Sequence, residues 1–305
     1  TIKNFQNKMN EEELSDYKKA GEIAKKIKVF AKELIKPGMP LLEIARKIQE
    51  EIEKQGAIAA FPVNLSIDDI AAHYHPTIDD ETKASGLLKI DFGVQVNGYI
   101  ADTAFSMDLT EDKKHKDLIE ASEMALKNAL EKIKQDPTLT EIGKTVQDTI
   151  EEKGFSPIIN LSGHSINRYE IHAGITIPNY DNGNENKLLE GAYAIEPFAT
   201  TGEGKIYEGP SGNIFAITNP KNTRSPTARK ILDYVMDKYQ TLPFSLREMQ
   251  EKFGPMARLA IKEMENQGIV KNFGQLIEKS HKPVAQSEHT FVKLKNGEIV
   301  ITNDG

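Results

Sequence analysis

The segment LKIDFGVQVNGYIADTAFSMD, residues 88–108, decides the fold. Its two halves are rich in β-branched and aromatic residues and meet at Asn97-Gly98, the strongest short-range signal for a two-residue turn between antiparallel strands. A hairpin over 88–108 follows. With Asn97 and Gly98 as the turn residues, Val96 faces Tyr99, Asp91 faces Ala104 and Asp102 faces Gly93. Asp91 and Gly93 are two apart, so both carboxylates point to one face as diagonal neighbours, roughly 7–8 Å apart between backbones. Acids are depleted from strand interiors because their desolvation is costly unless they are paired or bind a cation. These two are flanked by Ile90, Phe92, Ile100 and Phe105. Two like charges so near need a positive centre between them, and Gly93 opposite Asp102 is expected to leave that space free of side chain.

Outward from the hairpin the chain alternates helical and β patterns. Apolar residues three and four apart, from Leu14 and Tyr17 to Ala31 and Leu34, predict a helix over 11–35 ended by Lys36-Pro37-Gly38. A second over 41–54 stops at Gln55-Gly56. FPVNLSIDDIAAHYHP (61–76) reads as a strand and a loop lining a site. Residues 112–135 and 139–153 are again helical in period, the latter opened by Thr140-Glu141 and closed by Gly154. SPIINLSGHSI (156–166), EIHAGITIP (170–178), GAYAIEPFAT (191–200) and GNIFAIT (212–218) are short β-type runs punctuated by Gly, Pro and Asn. Residues 226–268 turn helical, and HTFVKL (289–294) and EIVIT (298–302) form a closing hairpin around Lys295-Asn296-Gly297. The fold class is α+β: paired helices, an antiparallel sheet, and a helical segment set into the β-rich second half.

Composition narrows the function. The 305 residues carry 39 Lys+Arg and 46 Asp+Glu, a net charge of −7, which is a poor footprint for nucleic acid or anionic membrane. No Cys is present, which excludes disulfides, thiol nucleophiles and Cys-ligated metals. No stretch approaches the roughly 20 apolar residues of a spanning helix, and the polar start TIKNFQNKMNEEEL has no signal-peptide core. A cytoplasmic protein is the expectation.

Two more acids sit in apolar strand contexts, Glu196 in YAIEPF and Glu288 in QSEHTFV, and His164 in NLSGHSI offers a nitrogen beside a flexible Gly. One His with four carboxylates is an oxygen-rich set, suited to Mn²⁺, Fe²⁺, Co²⁺ or Zn²⁺ in a two-metal site. Such a centre supplies a nucleophile at neutral pH and polarises a carbonyl, the equipment of hydrolysis. His73 and His75 in AAHYHP could form a zinc pair, but His75 precedes Pro76 in a bend, which argues against it. No G-x-S-x-G elbow and no H-E-x-x-H helix occurs.

KIDFG, ADTAF, LSGHSI, HAG, AIEPF and QSEHT follow FPVNLSIDDIAAHYHP in this order, and over essentially the whole chain the sequence resembles the methionine aminopeptidases of the pita-bread fold. The resemblance implies a central antiparallel sheet flanked by helices. It makes Asp91, Asp102, His164, Glu196 and Glu288 the ligands of two divalent ions (Co, Mn, Fe or Zn). It implies removal of the initiator methionine from nascent proteins and peptides, favouring a small second residue. Glu196 is then ligand and proton shuttle, His73 lies beside the N-terminal residue and its scissile amide, and His172 hydrogen-bonds a substrate carbonyl. Phe61, Ile171 and Ile214 wall the apolar pocket for the methionine side chain. His75 stands where relatives often carry Thr, and no catalytic role attaches to it.

The long link between Glu196 and Glu288 has room for the helical insertion that marks type 2 members. This expectation divides the chain into a catalytic unit, 1–221 and 276–305, and an insertion, 222–275. By the same resemblance, a start at the first expected catalytic helix implies an archaeal style. The implied partners are nascent polypeptides with an N-terminal Met and a transient ribosome contact, with a monomer, no membrane and no direct nucleic-acid binding. The rival readings are an Xaa-Pro peptidase of the same fold, and a non-catalytic pita-bread protein that binds ribosome or RNA.

Overall fold

The computed structural model describes residues 9–302, so the ends of the expected catalytic unit, 1–8 and 303–305, lie outside the described residues. The first helix, Glu11–Leu34, starts where Asn10 and Glu13 exchange side-chain hydrogen bonds with each other's backbone N–H, and Glu11, Glu12 and Glu13 complement the positive end of the helix dipole. With the second helix, Leu41–Lys54, it buries an apolar stripe that includes Ile23, Ile27, Ile44, Ile48 and Ile52. A second pair, Lys116–Ile133 and Leu139–Glu152, repeats the arrangement. Its second helix starts at Leu139 as expected, but the cap is Thr138 rather than Thr140. Thr138 and Glu141 form the reciprocal cap, while the Thr140 hydroxyl donates to Asp181 and is not free to cap.

The hairpin has the register read from the sequence. Leu87–Val96 pairs with Tyr99–Asp108, with Val96 opposite Tyr99, Asp91 opposite Ala104 and Gly93 opposite Asp102. Asn97 and Gly98 take φ values of 52° and 89°, the left-handed pair that a primed turn requires. Pleating then sorts the side chains by face. Ile90, Phe92, Val94, Ala101 and Phe105 join the first helix pair in one buried apolar cluster. Asp91, Gly93 and Asp102, at the alternate positions, face the other way.

The large sheet runs in the order Ile58–Ala59, Leu87–Val96, Tyr99–Asp108, Glu288–Lys293, Gly191–Ile195, Ser162–Ile166, Thr176–Pro178. Asn64–Ile67 adds to the Leu87–Val96 strand, and Ile299–Ile301 pairs with Glu288–Lys293 as the closing hairpin, Phe291 opposite Ile301. On the far half, Tyr193, Ile195 and Phe291 pack with Ala125, Ile142 and Ile150 of the second helix pair. Both helix pairs therefore cover the same face of the sheet, and its other face is left for the acids.

That other face is covered by a smaller antiparallel sheet, ordered Phe244–Ser245, Ile206–Ile217, Val270–Glu278, Ile70–Ala72. The run 212–218 is the end of its longest strand. Residues 170–178 are a strand only over Thr176–Pro178; Tyr169 and Gly174 at φ 56° and 96° bend the rest into a loop. Residues 226–268 form three helices, Pro226–Lys238, Leu246–Phe253 and Met256–Asn266, with Phe244–Ser245 between the first two. Val270–Glu278 is a strand that the sequence reading did not recognise, and its residues 270–275 fall within the expected helical insertion. Among the described residues no helix is long and apolar enough to cross a membrane.

Phe92 is fully buried between the hairpin and the first helix pair. Phe92→Ala is expected to cost about 3–5 kcal/mol, read as a lower urea midpoint at an unchanged slope; a loss below about 1 kcal/mol would mean that this cluster does not hold the sheet to its helices.

Candidate metal centre

Two rows of residues cross the acid-bearing face. In the first, Asn64, Asp91, Ala104 and Glu288 lie opposite one another on four adjacent strands. Continuing the pairing of Glu288–Lys293 with Gly191–Ile195 by one step puts Glu196 opposite Glu288. In the second row stand Gly93, Asp102, Ala194 and His164, with Thr290 between Asp102 and Ala194. Thr290 Oγ1 accepts from the Asp102 N–H at 2.7 Å and donates to the Asp102 carbonyl at 3.1 Å. Residues opposite one another share a face. The small residues Ala104 and Ala194 separate the larger groups, so the pleat directs one imidazole and four carboxylates into one space.

His164 Nε2 lies 3.5 Å from Asp102 Oδ2, 3.6 Å from Glu196 Oε1 and 3.9 Å from Glu288 Oε1. Asp102, His164 and Glu288 each offer a ligand atom, all within 4.8 Å of one another. Burial drives every acid toward its neutral form: Asp91 is pushed up to about 7. Asp102, Glu196 and Glu288 rise well above the usual carboxylate range through burial and then through one another's charges. His164 is held neutral, lowered to about 3 by burial with His172 adding to it.

Among the described residues no Lys or Arg forms an ion pair with these acids. Lys89 shares Asp91's face two residues earlier, yet its Nζ turns to the carbonyls of Asp68 and Leu87 at 2.7 and 3.3 Å, and burial lowers it to about 7. Asp91 Oδ1, Asp102 Oδ1 and His164 Nδ1 are buried without a hydrogen-bond partner. Buried acceptors left unpaired are costly, and a convergent set of hard oxygens with one imidazole is what divalent ions bind. The residues fit such ions.

Above this floor opens a cavity of about 460 Å³ lined by all five residues and by Phe61, His73, Ile171, His172 and Ile214, so it gathers every candidate read from the sequence. The space beside Gly93 is not empty. A Cβ there would meet Phe61 Cε1 at 2.5 Å and Ala60 Cβ at 2.8 Å, so glycine is needed to seat the Phe61 ring against the sheet.

His73 takes φ 65°, and its carbonyl presses on the opposing strand so closely that a Cβ at Gly212 would lie 1.9 Å away. Its Nδ1 donates to the Gly274 carbonyl at 3.2 Å, leaving Nε2 as the acceptor, and burial lowers it to about 4 with help from His172. The His172 ring stands edge-on to His164 at 4.4 Å and is likewise lowered, by burial and then by Lys271. His75 faces elsewhere. Its Nδ1 donates to the Val63 carbonyl at 2.7 Å and its Nε2 accepts from Arg247 Nε at 3.2 Å, so it cannot pair with His73 on a metal.

Sequence reasoning missed several lining residues. Asn64 lies opposite Asp91 and lines the cavity, and Gln286, two places before Glu288, stands beside Asp91. Lys271, Phe273 and Leu276 enter from Val270–Glu278. Register shifts between Glu208, Ser211 and Ile214 in its partner strand go with the lost period-two alternation that would have marked it.

Because metal ligands bind as their ionised forms, loading the centre must expel protons from the acids. Titration with Mn²⁺ at about pH 6.5, in two buffers of different ionisation enthalpy, is expected to show at least one proton released, since burial holds Asp91 near 7 and raises Asp102, Glu196 and Glu288 well above the usual carboxylate range. Binding without proton release would mean that the acids are already ionised in the empty cavity.

Comparison with known proteins agrees with this geometry. The model of metallopeptidase family M24 matches residues 15–238. The methionine aminopeptidase of Pyrococcus abyssi is 43% identical over 93% of this chain and 97% of its own length. That of Methanocaldococcus jannaschii is 40% identical over 95% and 99%. Among solved structures, a thermophilic Arx1 superposes with a TM-score of 0.82 at 18% identity, covering 97% of this chain and 92% of that one. The Rickettsia prowazekii methionine aminopeptidase gives 0.68 at 19%, covering 97% and 98%. A Pyrococcus furiosus prolidase gives 0.59 at 18%, with 67% of its length covered. At such identities the structural likenesses speak for the pita-bread fold alone, while the sequence relatives do not favour the Xaa-Pro and non-catalytic readings. The chain belongs to metallopeptidase family M24, within the methionine aminopeptidases.

Proposed function

We propose that this protein removes the N-terminal methionine from nascent proteins and peptides, as a type 2 enzyme of archaeal style, and favours a small second residue. The observation that carries this reading is the convergence of one imidazole and four unneutralised carboxylates beneath an apolar cavity. In this reading Asp91, Asp102, His164, Glu196 and Glu288 hold two divalent ions. When bound, such ions lower the pKa of water toward neutrality and polarise a carbonyl.

The chain's own groups do the rest. Phe61, Ile171 and Ile214 receive the methionine side chain, while Asp91 and Asp102 hold the ion that would receive the free α-amine; this restricts cleavage to the first bond. Glu196 takes a proton from the attacking water and passes it to the leaving amine. His172, neutral because it is desolvated, donates to the carbonyl oxygen as charge develops there. His73, with Nδ1 fixed on Gly274, orients the scissile amide.

The type 2 assignment and the proposed division into 1–221 with 276–305, and 222–275, are supported by the three helices between Ile206–Ile217 and Val270–Glu278. Those two strands pair with each other, so the helical segment leaves and re-enters the molecule at one place. The net charge of −7 suits a peptide substrate better than nucleic acid. A monomer in the cytoplasm that meets nascent chains in transient contact with the ribosome completes the proposal.

Met-Ala-Ser is expected to be cleaved to Met and Ala-Ser, and Gly-Pro left intact, in a panel of Mn²⁺, Fe²⁺, Co²⁺ and Zn²⁺; cleavage of Gly-Pro instead would transfer the protein to the Xaa-Pro peptidases. Glu196→Ala is expected to lower kcat by at least about 10²–10⁴ with folding retained, and near-normal turnover would refute its role. His172→Ala should cost about 10²–10³ in kcat, with bound-metal content unchanged by elemental analysis; loss of metal would make it a ligand rather than a carbonyl donor.

A further inference from the structure

One cationic side chain in the cavity has no part in the reaction proposed above. Lys271 is exposed at the rim. Among the described residues lining the cavity it is the one Lys or Arg. Its Nζ lies over the Phe273 ring, 5.3 Å from the centroid, and the Phe273 ring meets His73 edge-on at 5.7 Å. The cavity is therefore polarised, with four carboxylates at the floor and one ammonium at the mouth.

Register measures how far the Lys271 backbone stands from the Ile214–Phe273 pair beside the proposed first-residue pocket. Phe273 lies opposite Ile214, a wall of the proposed methionine pocket, and Lys271 lies opposite Ala216. From Phe273 to Lys271 is two residues of strand, about 6.6 Å. An extended peptide advances by the same amount over two residues, and its first and third side chains point to one side. A chain whose first side chain rests at the Ile214–Phe273 level brings its third side chain to Lys271.

We propose that Lys271 selects substrates by charge beyond the cleaved bond, receiving a carboxylate on the side chain of the third residue. The inference rests on the reading of the cavity as a peptidase site and adds a specificity determinant to it. Lys271 also contributes to the lowering of both His73 and His172, which places its charge near the two imidazoles that flank the substrate.

The test uses C-terminally amidated peptides Met-Ala-Xaa-Ser with Xaa Glu, Gln or Lys, so that no terminal carboxylate competes. The metal-loaded full chain is expected to rank them Glu, Gln, Lys in kcat/KM, with about three- to ten-fold between the ends and a smaller spread at about 0.5 M salt. Lys271→Met should collapse the spread, and Lys271→Glu should invert the order. Moving Glu to the fourth position should lose the preference.

Equal rates for all three peptides, an equal loss on all three in Lys271→Glu, or an equal preference at the fourth position would each overturn the proposal. The second result would mean that Lys271 acts only through the neighbouring imidazoles. Failure to cleave any Met peptide would refute the peptidase reading itself and is distinguishable from all of these.

Discussion

Ionised carboxylates on the buried face of a sheet repel one another and lose their hydration, and the rest of this structure is arranged around that constraint. Among the described residues no Lys or Arg forms an ion pair with the four acids, and the buried Lys89 turns to backbone carbonyls. Folding places them there because the opposite face is strongly apolar. Ile90, Phe92, Val94 and Phe105 fix which way the hairpin faces, and a strand that presents those residues to the helices must present Asp91 and Asp102 to the other side. The hydrophobic pattern thus stabilises the sheet and also aims the acids, at the expense of a site that in the absence of cations favours protonation.

Each layer has a distinct task. The helix pairs hold the sheet from one side, the sheet's two rows set the spacing of the acids and the imidazole, and the smaller sheet roofs the cavity with apolar side chains. The roof is tied to the scaffold by buried polar contacts. Arg247, on the helix Leu246–Phe253, reaches His75, Glu251 and Gln49, and His75 in turn holds the Val63 carbonyl. Closing a network of this kind fully is what makes it rigid, and it anchors the turn that carries His73.

Much of this was legible in the chain itself, for reasons that differ by element. Asn97-Gly98 admits one tight turn, so the register of 87–108 and the common face of Asp91 and Asp102 followed from counting. The helices over 11–34 and 41–54 were plain because their buried stripes repeat without interruption. Val270–Glu278 was hidden because bulges in its partner break the alternation that marks strands. The crowding beside Gly93 was misjudged because the Phe61 ring arrives from more than thirty residues upstream, a contact that no local pattern encodes. For the same reason His164, Glu196 and Glu288 could be suspected one by one, while their meeting place depends on strand pairings distant in sequence.

The order of strands in the large sheet has a consequence for biosynthesis. Glu288–Lys293 lies in the middle of that sheet, between Tyr99–Asp108 and Gly191–Ile195, yet it is translated after both. Until it emerges, those two strands carry unpaired edges, a state prone to mispairing, and the contacts that join the halves span large sequence separations, which slows their formation. Glu288 arrives on the same strand, so the polypeptide gains its last metal-facing carboxylate only as the gap between the halves closes. A ribosome-bound fragment that stops short of this strand has two partial sheets and no assembled centre.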